Sequence, residues 1–454
     1  MNAQARTTPR PFAAILDRFK SGADDPRSFL ERCIGEYEAR EPEVRAFVTV
    51  EIESARSAAD AARARWRSGA PLSRIDGMPI GVKDIFETAD MPTAMGSPLF
   101  EGWRSNRDSA CVRALREAGA VILGKTVTTE FAATVPGPTR NPHDPARTPG
   151  GSSSGSAAGV ACGMIAAGLG TQVVGSIVRP ASYCGCWGFK PSLGGLNRGG
   201  SHDYMSQSCA GVIAASRADA WQVAREIVVR VGGDPGFPGL AGPELAPEAK
   251  APARLVFIEQ PGWTEASPEA KAEFHILLER LAAGGVEILT RGSDKGVAAF
   301  EAVLPEVMTL TRTINAWESR WPLNAYEDRD AGKLSAVMRE RLREAEAMDV
   351  SHYRAALARR AEIRAIYEEL AARASAWIGL SAPGTAPLGL QSTGNAIFAV
   401  PASLLGAPAV SLPLLSVEGL PLGVQLVGFV GADADLFAVA GAVEQRGRPP
   451  LAPA

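Results

Sequence analysis

From Gly150 to Ser176 the chain runs GGSSSGSAAGVACGMIAAGLGTQVVGS, and most of these side chains are those of Gly, Ala or Ser. A stretch with so little bulk gains from burial only where backbones approach closely, so it belongs inside a tightly packed body. Its approach, over 134–156, is rich in Gly, Pro, Ser, Thr and Asn, which marks a loop. That loop lacks the length and repetition of a disordered linker. The following AAGVACGMIAAGLG reads as a tightly packed helix.

The surrounding segments set the fold class. Residues 11–68 read as helical, with periodic apolar positions and an Ala/Arg/Glu-rich end. PIGVKD reads as a short buried strand that delivers Lys83 at its end. An amphipathic helix is expected over 108–118, and AVILGKT is expected as a buried strand after it. Residues 254–290 read strand, helix, strand, and 300–374 read mostly helical. WIGLSAP, AVSLPLL and GLPLGVQLVG supply late buried strands. Strands alternating with helices imply an α/β class with a parallel or mixed sheet. The length of 454 residues suggests about three domains. No repeat or clean linker divides the chain, however, so one domain over 1–454 is expected. It comprises a helical part over about 1–70, a core over about 71–250, and a part over about 251–454 that completes the sheet. The helical region near 295–375 is the candidate for a segment that moves.

Composition narrows the function classes. A net charge of −3 gives no electrostatic footprint for nucleic acid or an anionic membrane. Residues 1–20 lack a signal-peptide pattern, because charges interrupt them throughout. The apolar stretch 395–415 carries Pro401, Gly406, Pro408 and Pro413, so it reads as buried strand and turn rather than a membrane span. A cytoplasmic location is expected. Cys33, Cys111, Cys162, Cys184, Cys186 and Cys209 form no CxxC pair, and the lone C-x-C at Cys184 and Cys186 offers too few ligands for zinc. They read as buried free thiols, and no metal site is expected. Only four histidines occur, His143, His202, His275 and His352, so general-base work in a hydrolase could fall to another side chain.

The Gly/Ser run admits several chemistries. Gly150 to Gly155 has phosphate-loop spacing, but Ser156 stands where that loop needs lysine. Gly151-Ser152-Ser153-Ser154-Gly155 matches G-x-S-x-G with Ser153 at its centre, which would require a downstream acid and histidine. A third reading places the nucleophile at Ser176, activated by a lysine held neutral through burial. Lys83, between Met78-Pro79-Ile80-Gly81-Val82 and Ile85-Phe86, has the apolar setting for it. The local alternative is a surface lysine paired with Asp84.

PIGVKD, GGSSSGSAAG and GTQVVGSIVRPASYCGCWGFKP, followed by SLLGAPAVSLPLL and GLPLGVQLVG, together resemble the amidase signature family over roughly residues 25–445. The resemblance implies an α/β/α sandwich around a mixed, mostly parallel β-sheet. It implies a Ser–Ser–Lys triad: Lys83 as base, Ser152 as bridging serine behind a cis Gly151–Ser152 peptide, and Ser176 as nucleophile. The backbone N–H groups of Val173, Val174 and Gly175 would form the oxyanion hole. No metal or organic cofactor is implied, and a homodimer is the family-level expectation.

Departures from the family pattern bear on the substrate. Val173-Val174-Gly175-Ser176 replaces the common T-G-G-S, and a valine at positive φ would be a backbone outlier. An intact turn with Val174 at negative φ and a narrower, more apolar acyl pocket is therefore expected. Ser208 stands where the family often has a supporting Asp. Thr171-Gln172 and Arg179, in S-I-V-R-P, resemble the malonamidase-like branch, in which the arginine binds a substrate carboxylate. A guanidinium fork suits that task. The alternative is that Arg179 anchors its loop through backbone carbonyls. Thr171 is placed with the substrate-binding residues, with bracing of the nucleophile turn as a further role for it and Gln172.

The resemblance thus implies hydrolysis of a carboxylic acid amide, including a small carboxylated one, to the acid and ammonia or an amine. A second reading is an amidotransferase A-type subunit that releases ammonia from glutamine for a partner protein. A third is an inactive amidase-like binding protein, suggested by Val173, Val174 and Ser208.

Overall fold

The computed structural model describes residues 8–447. Residues 1–7, where the reading of an N-terminus without a signal peptide begins, and 448–454 lie outside the described residues. The strands are β1 (Phe47–Val50), β2 (Pro79–Lys83), β3 (Val121–Thr126), β4 (Ala167–Gln172), β5 (Trp187–Lys190), β6 (Cys209–Ala214), β7 (Arg254–Phe257), β8 (Glu287–Leu289), β9 (Trp377–Leu380), β10 (Ala409–Val417) and β11 (Leu420–Val427). They join one sheet in the order β1-β3-β2-β4-β6-β5-β10-β11-β9-β7-β8.

The sheet is mixed, as expected, but it does not lean parallel. Only β2–β3, β2–β4, β7–β8 and β7–β9 are parallel among the described residues. The other neighbours run antiparallel. For one of these pairs the reason is local. β10 and β11 are joined by the two-residue turn Glu418-Gly419, both at positive φ, and so short a connection makes only a hairpin.

Both faces of the sheet are covered. Along β6, Ala210, Val212 and Ala214 belong to the largest apolar core, with residues of the Arg217–Val231 and Asp433–Gly447 helices. Ile213, on the opposite side of the pleat, packs with the Ser154–Ala161 and Val178–Cys184 helices. β3 alternates in the same way, with Ile122 in one cluster and Val121 and Leu123 in the other. This is the expected α/β/α layering. The expected strands near residues 80, 122, 255, 288, 378, 412 and 424 are present, and helices fill most of 300–374. No helix among the described residues is long and apolar enough to cross a membrane.

Three segments differ from the sequence reading. The N-terminal region is helical except for β1, an antiparallel edge strand whose Phe-Val-Thr-Val is rich in β-branched residues. AAGVACGMIAAGLG is only half helix. The Ser154–Ala161 helix ends, Gly163 turns at φ +73, and the remainder becomes β4. Small residues serve both halves, because the helix rests directly on the strand. A Cβ at Gly168 would lie 2.8 Å from Ser156 Cβ. The third segment, 395–415, is buried but opens with the Val400–Leu405 helix before β10.

Gly155 tests how tightly the Ser154–Ala161 helix sits against the start of β1 and the end of β3. A Cβ there would stand 2.1 Å from the Ala46 carbonyl oxygen and 2.4 Å from the Val127 nitrogen, both backbone atoms. Gly155→Ala should lower unfolding free energy by about 1–3 kcal/mol or more through overpacking, measured by urea denaturation. Gly35→Ala, in the Pro26–Val44 helix with nothing within 4 Å, should instead be neutral or stabilise by about 0.5–1 kcal/mol.

Candidate active site

Two adjacent central strand ends build the site. β2 is buried along its whole length and ends at Lys83, and parallel β4 beside it ends at Thr171-Gln172. Lys83 is fully buried. Its Nζ lies 2.7 Å from Ser152 Oγ and 2.9 Å from Thr171 Oγ1. Burial pushes the ammonium down to about 7, against the pull of the Asp203 carboxylate. Lys83 is therefore not the surface lysine of the local alternative. Asp84 has another partner, the buried Lys125 of β3, at 2.8 Å. Lys125 is held further by the Pro92 carbonyl and Thr93 Oγ1.

Ser152 follows a cis peptide after Gly151 and is fully buried. The neighbouring serines are engaged elsewhere. Ser154 Oγ donates to Gly150 O within its own loop, and Ser156 Oγ donates to Leu169 O. Ser153 is buried behind Thr171 and does not line the cavity. The histidines have other neighbours: His143 meets Cys184 O, His202 meets Glu87, and His275 packs among aromatic rings. His352 is exposed on the Val350–Glu368 helix, so among the described residues no histidine is hydrogen-bonded to Ser153 to serve the elbow reading.

Ser176 lies at the wall of a cavity of about 1220 Å³. It occupies the turn between β4 and the Val178–Cys184 helix, and Gln172 organises that turn. Gln172 Oε1 accepts from the N–H groups of Ile177 and Val178, and its Nε2 donates to Ser403 Oγ. Ser403 Oγ in turn donates to Val174 O, and Gln207 Nε2 donates to Val173 O. Among the described residues, the N–H groups of Val173, Val174, Gly175 and Ser176 have no protein acceptor. Val174 keeps a negative φ. Gly175 is required by close approach, since a Cβ there would lie 2.9 Å from Ala396 Cβ. Val173 and Val174 both face the cavity.

Other residues fall differently from expectation. Thr171 accepts from Lys83 and lies behind the cavity rather than on its wall, because the end of β4 points it at the lysine. Arg179 does line the cavity, and its guanidinium is already bonded to protein oxygens. Nη1 donates to Gly394 O, and Nη2 donates to Gly151 O and Thr393 Oγ1. It thereby ties the Ser152 loop to the segment before the Val400–Leu405 helix. Burial lowers its pKa to about 10, so it stays charged at neutral pH. Ser208 is buried, and its hydroxyl has no partner among the described residues. The support comes from its neighbour Gln207. All six cysteines are free and buried, and the Tyr183–Trp187 run is packing.

Sequence reasoning missed Gln207, Ser403 and Asp203, and it missed the cavity's far wall. That wall comes from Met308, Thr311 and Asn315 and, on the Ala336–Glu346 helix, Arg341 and Glu344. These residues meet the site only through tertiary packing, and no local pattern marks them.

Comparison with known proteins places this geometry among relatives. A family model described as Amidase matches residues 28–437. The protein named as the A subunit of glutamyl-tRNA(Gln) amidotransferase in Anaeromyxobacter sp. (strain K) is 32% identical and covers 93% of this chain and 93% of its own. One of the same name from Myxococcus xanthus (strain DK1622) is 31% identical over 89% of this chain and 90% of its own. A crystal structure described as an amidase aligns with TM-score 0.83 at 28% identity, covering 96% of this chain and 100% of that one. The native peptide amidase of Stenotrophomonas maltophilia gives 0.78 at 25% identity, with 97% and 98% covered.

The Asp84–Lys125 pair predicts a stability effect separate from chemistry. Lys125→Met would leave a buried carboxylate without its cation. Loss of one partner of such a pair costs about 3–5 kcal/mol. Chemical denaturation at neutral pH should show a loss of that size.

Proposed function

The chain belongs to the amidase family of amide hydrolases, and we propose that it is a serine amidohydrolase working through Lys83, Ser152 and Ser176. The observation that carries this reading is Lys83, fully buried, with its pKa lowered to about 7 and bonded to Ser152 beside the cavity that Ser176 lines. A lysine in that state is a base at neutral pH, whereas an exposed one is not.

With Lys83 neutral, the Ser152 hydroxyl donates to the Nζ lone pair, and Thr171 Oγ1 accepts one Nζ–H. Ser176 Oγ attacks the amide carbonyl, and its proton passes to Ser152 and on to Lys83. The oxyanion is received by the N–H groups of Val173, Val174 and Gly175, which have no protein acceptor. Such donors are worth about 3–4 kcal/mol each in the transition state. Ser152 returns the proton to the departing ammonia or amine, and water then cleaves the acyl-enzyme. Every step uses side chains and backbone alone, so the proposal calls for no metal or organic cofactor. The chain acts in this proposal as one domain, free in the cytoplasm and as a homodimer, on a small-molecule amide.

Arg179 adds substrate selection. Its anchoring bonds account for two of its nitrogens, and the proposed part of its role is attraction of a substrate carboxylate to a cavity wall where, among the described residues, it has no acidic partner. A second reading, an amidotransferase A-type subunit, is favoured by the names of the relatives. Thr171-Gln172 and the position of Arg179 favour the free-standing amidase.

An ammonia-release screen over a panel of amides, with Ser176→Ala as control, tests the proposal. Release that is lost by several orders of magnitude in the control supports it. No release from any amide and no labelling of Ser176 by a fluorophosphonate would leave only the binding-protein reading. Release from glutamine alone, and only with a copurifying second protein, would support the amidotransferase reading. The pH profile should also follow Lys83. Its base form is the active one, so kcat/KM should fall about tenfold per unit below pH about 7 and level off above it. Arg179→Lys should cost carboxylated amides far more than neutral ones. Equal losses would assign Arg179 to anchoring alone.

A further inference from the structure

The wall of the Ser176 cavity is shared with a second, smaller space. Phe131, Ala133, Asp203, Met205 and Arg341 line both. The annex measures about 50 Å³ and is lined by Pro322, Leu323, Tyr326 and Met338, and also by His202, Tyr204, Glu318 and Ser319, whose polar side-chain atoms already meet protein partners. These residues come from two consecutive helices, Arg320–Asp330 and Ala336–Glu346. Leu323 and Met338 form a small cluster separate from the main core. Met95, Leu99 and Phe100 belong to another. Phe131 and Tyr326 pack against both clusters and stack on each other with ring centroids 4.7 Å apart.

The position of the Phe131 ring is imposed by its backbone. Phe131 has φ 49 and ψ 35, and Ala132 follows at φ 56. A bulky residue adopts the left-handed region only where its surroundings enforce it. Here Phe131 N–H donates to Met95 O at 2.8 Å and Ala132 N–H donates to Thr129 O at 2.9 Å. Thr129 N–H donates to Ser152 O, so the loop that sets the ring is tied to the catalytic loop.

We infer that the annex is a subsite for the short apolar end of the amide substrate, admitted past the Phe131–Tyr326 pair. This rests on the amide-hydrolase reading of the Ser176 cavity. A water-sized group needs about 10–15 Å³ of such volume, so the annex holds roughly three to five of them. That suits a branched alkyl group of three or four carbons and excludes a fused ring system. The charges of Asp203 and Arg341 stand on the shared wall, where the polar part of the substrate remains.

The test uses binding, so that it does not depend on turnover. Full-length Ser176→Ala protein is titrated calorimetrically with acetamide, propionamide, butyramide, isovaleramide, hexanamide and 1-naphthylacetamide. Affinity should tighten about fourfold per buried methylene up to isovaleramide, with no further gain for hexanamide or the naphthyl compound. Adding Leu323→Trp or Met338→Phe should abolish the gain, leaving acetamide and isovaleramide within about twofold of each other. Adding Phe131→Ala removes bulk and should extend the gain to hexanamide. The inference is overturned if affinity does not depend on chain length, or if the gain persists in filled variants that melt as folded proteins. Should neither filled variant fold, Phe131→Ala decides, and a gain that stops at the same length overturns it. Ammonia release by the unsubstituted chain, measured in parallel, reports separately on the hydrolase reading.

Discussion

Removal of the Lys83 ammonium from water is the constraint on which the rest of this structure depends. A primary amine at the end of a fully buried strand has, among the described residues, hydroxyls of Ser152 and Thr171 as its near partners. Among those residues no carboxylate is hydrogen-bonded to it; Asp203 acts from a distance, and Asp84 is committed to Lys125. The sheet carries three fully buried lysines, Lys83, Lys125 and Lys190, and Lys83 and Lys125 differ in what they meet. Lys125 is compensated by a carboxylate, whereas Lys83 is left to neutralise. The difference lies in partners rather than in depth, since both are fully buried.

The small-residue layer follows from the same requirement. For Ser152 to reach Lys83, the loop and the helix after it must lie directly on β4, which leaves no room for side chains between them. Gly155 and Gly168 mark where backbone meets backbone or a serine side chain. At the end of β4, Gln172 performs a comparable task for Ser176 by accepting from two N–H groups at the start of the next helix. Chemistry and packing therefore draw on the same residues between 150 and 180.

Much of this was legible in the sequence, for identifiable reasons. PIGVKD showed a buried strand ending in Lys83, because apolar runs and their punctuation are local signals. The burial of Lys83 was not local. It depended on Asp84 finding Lys125 on a neighbouring strand, and that pairing has no signature in sequence. The ordered motifs located Ser152 and Ser176, while Thr171 was placed with the substrate because nothing in TQ shows which way a side chain leaves a strand end. β1 was hidden by the helical composition around it. AAGVACGMIAAGLG was read as one helix because Gly and Ala suit a close-packed helix and a close-packed strand equally. The expected parallel lean of the sheet failed at six strand pairs among the described residues, one of them the β10–β11 hairpin, where turn geometry decides direction.

The distribution of the cavity walls along the chain has a consequence for how such a protein changes over time. The proposed proton relay is drawn from residues 83–176, on strands and loops at the centre of the sheet. The opposing wall is drawn largely from helices between residues 307 and 346, inserted between β8 and β9. Replacement, lengthening or repacking of those helices would reshape the chamber with no backbone atom of the relay displaced. The proposed chemistry and much of the chamber's shape are thus encoded in separate stretches of one gene, and that chemistry can be carried to new compounds by mutation confined to the insert.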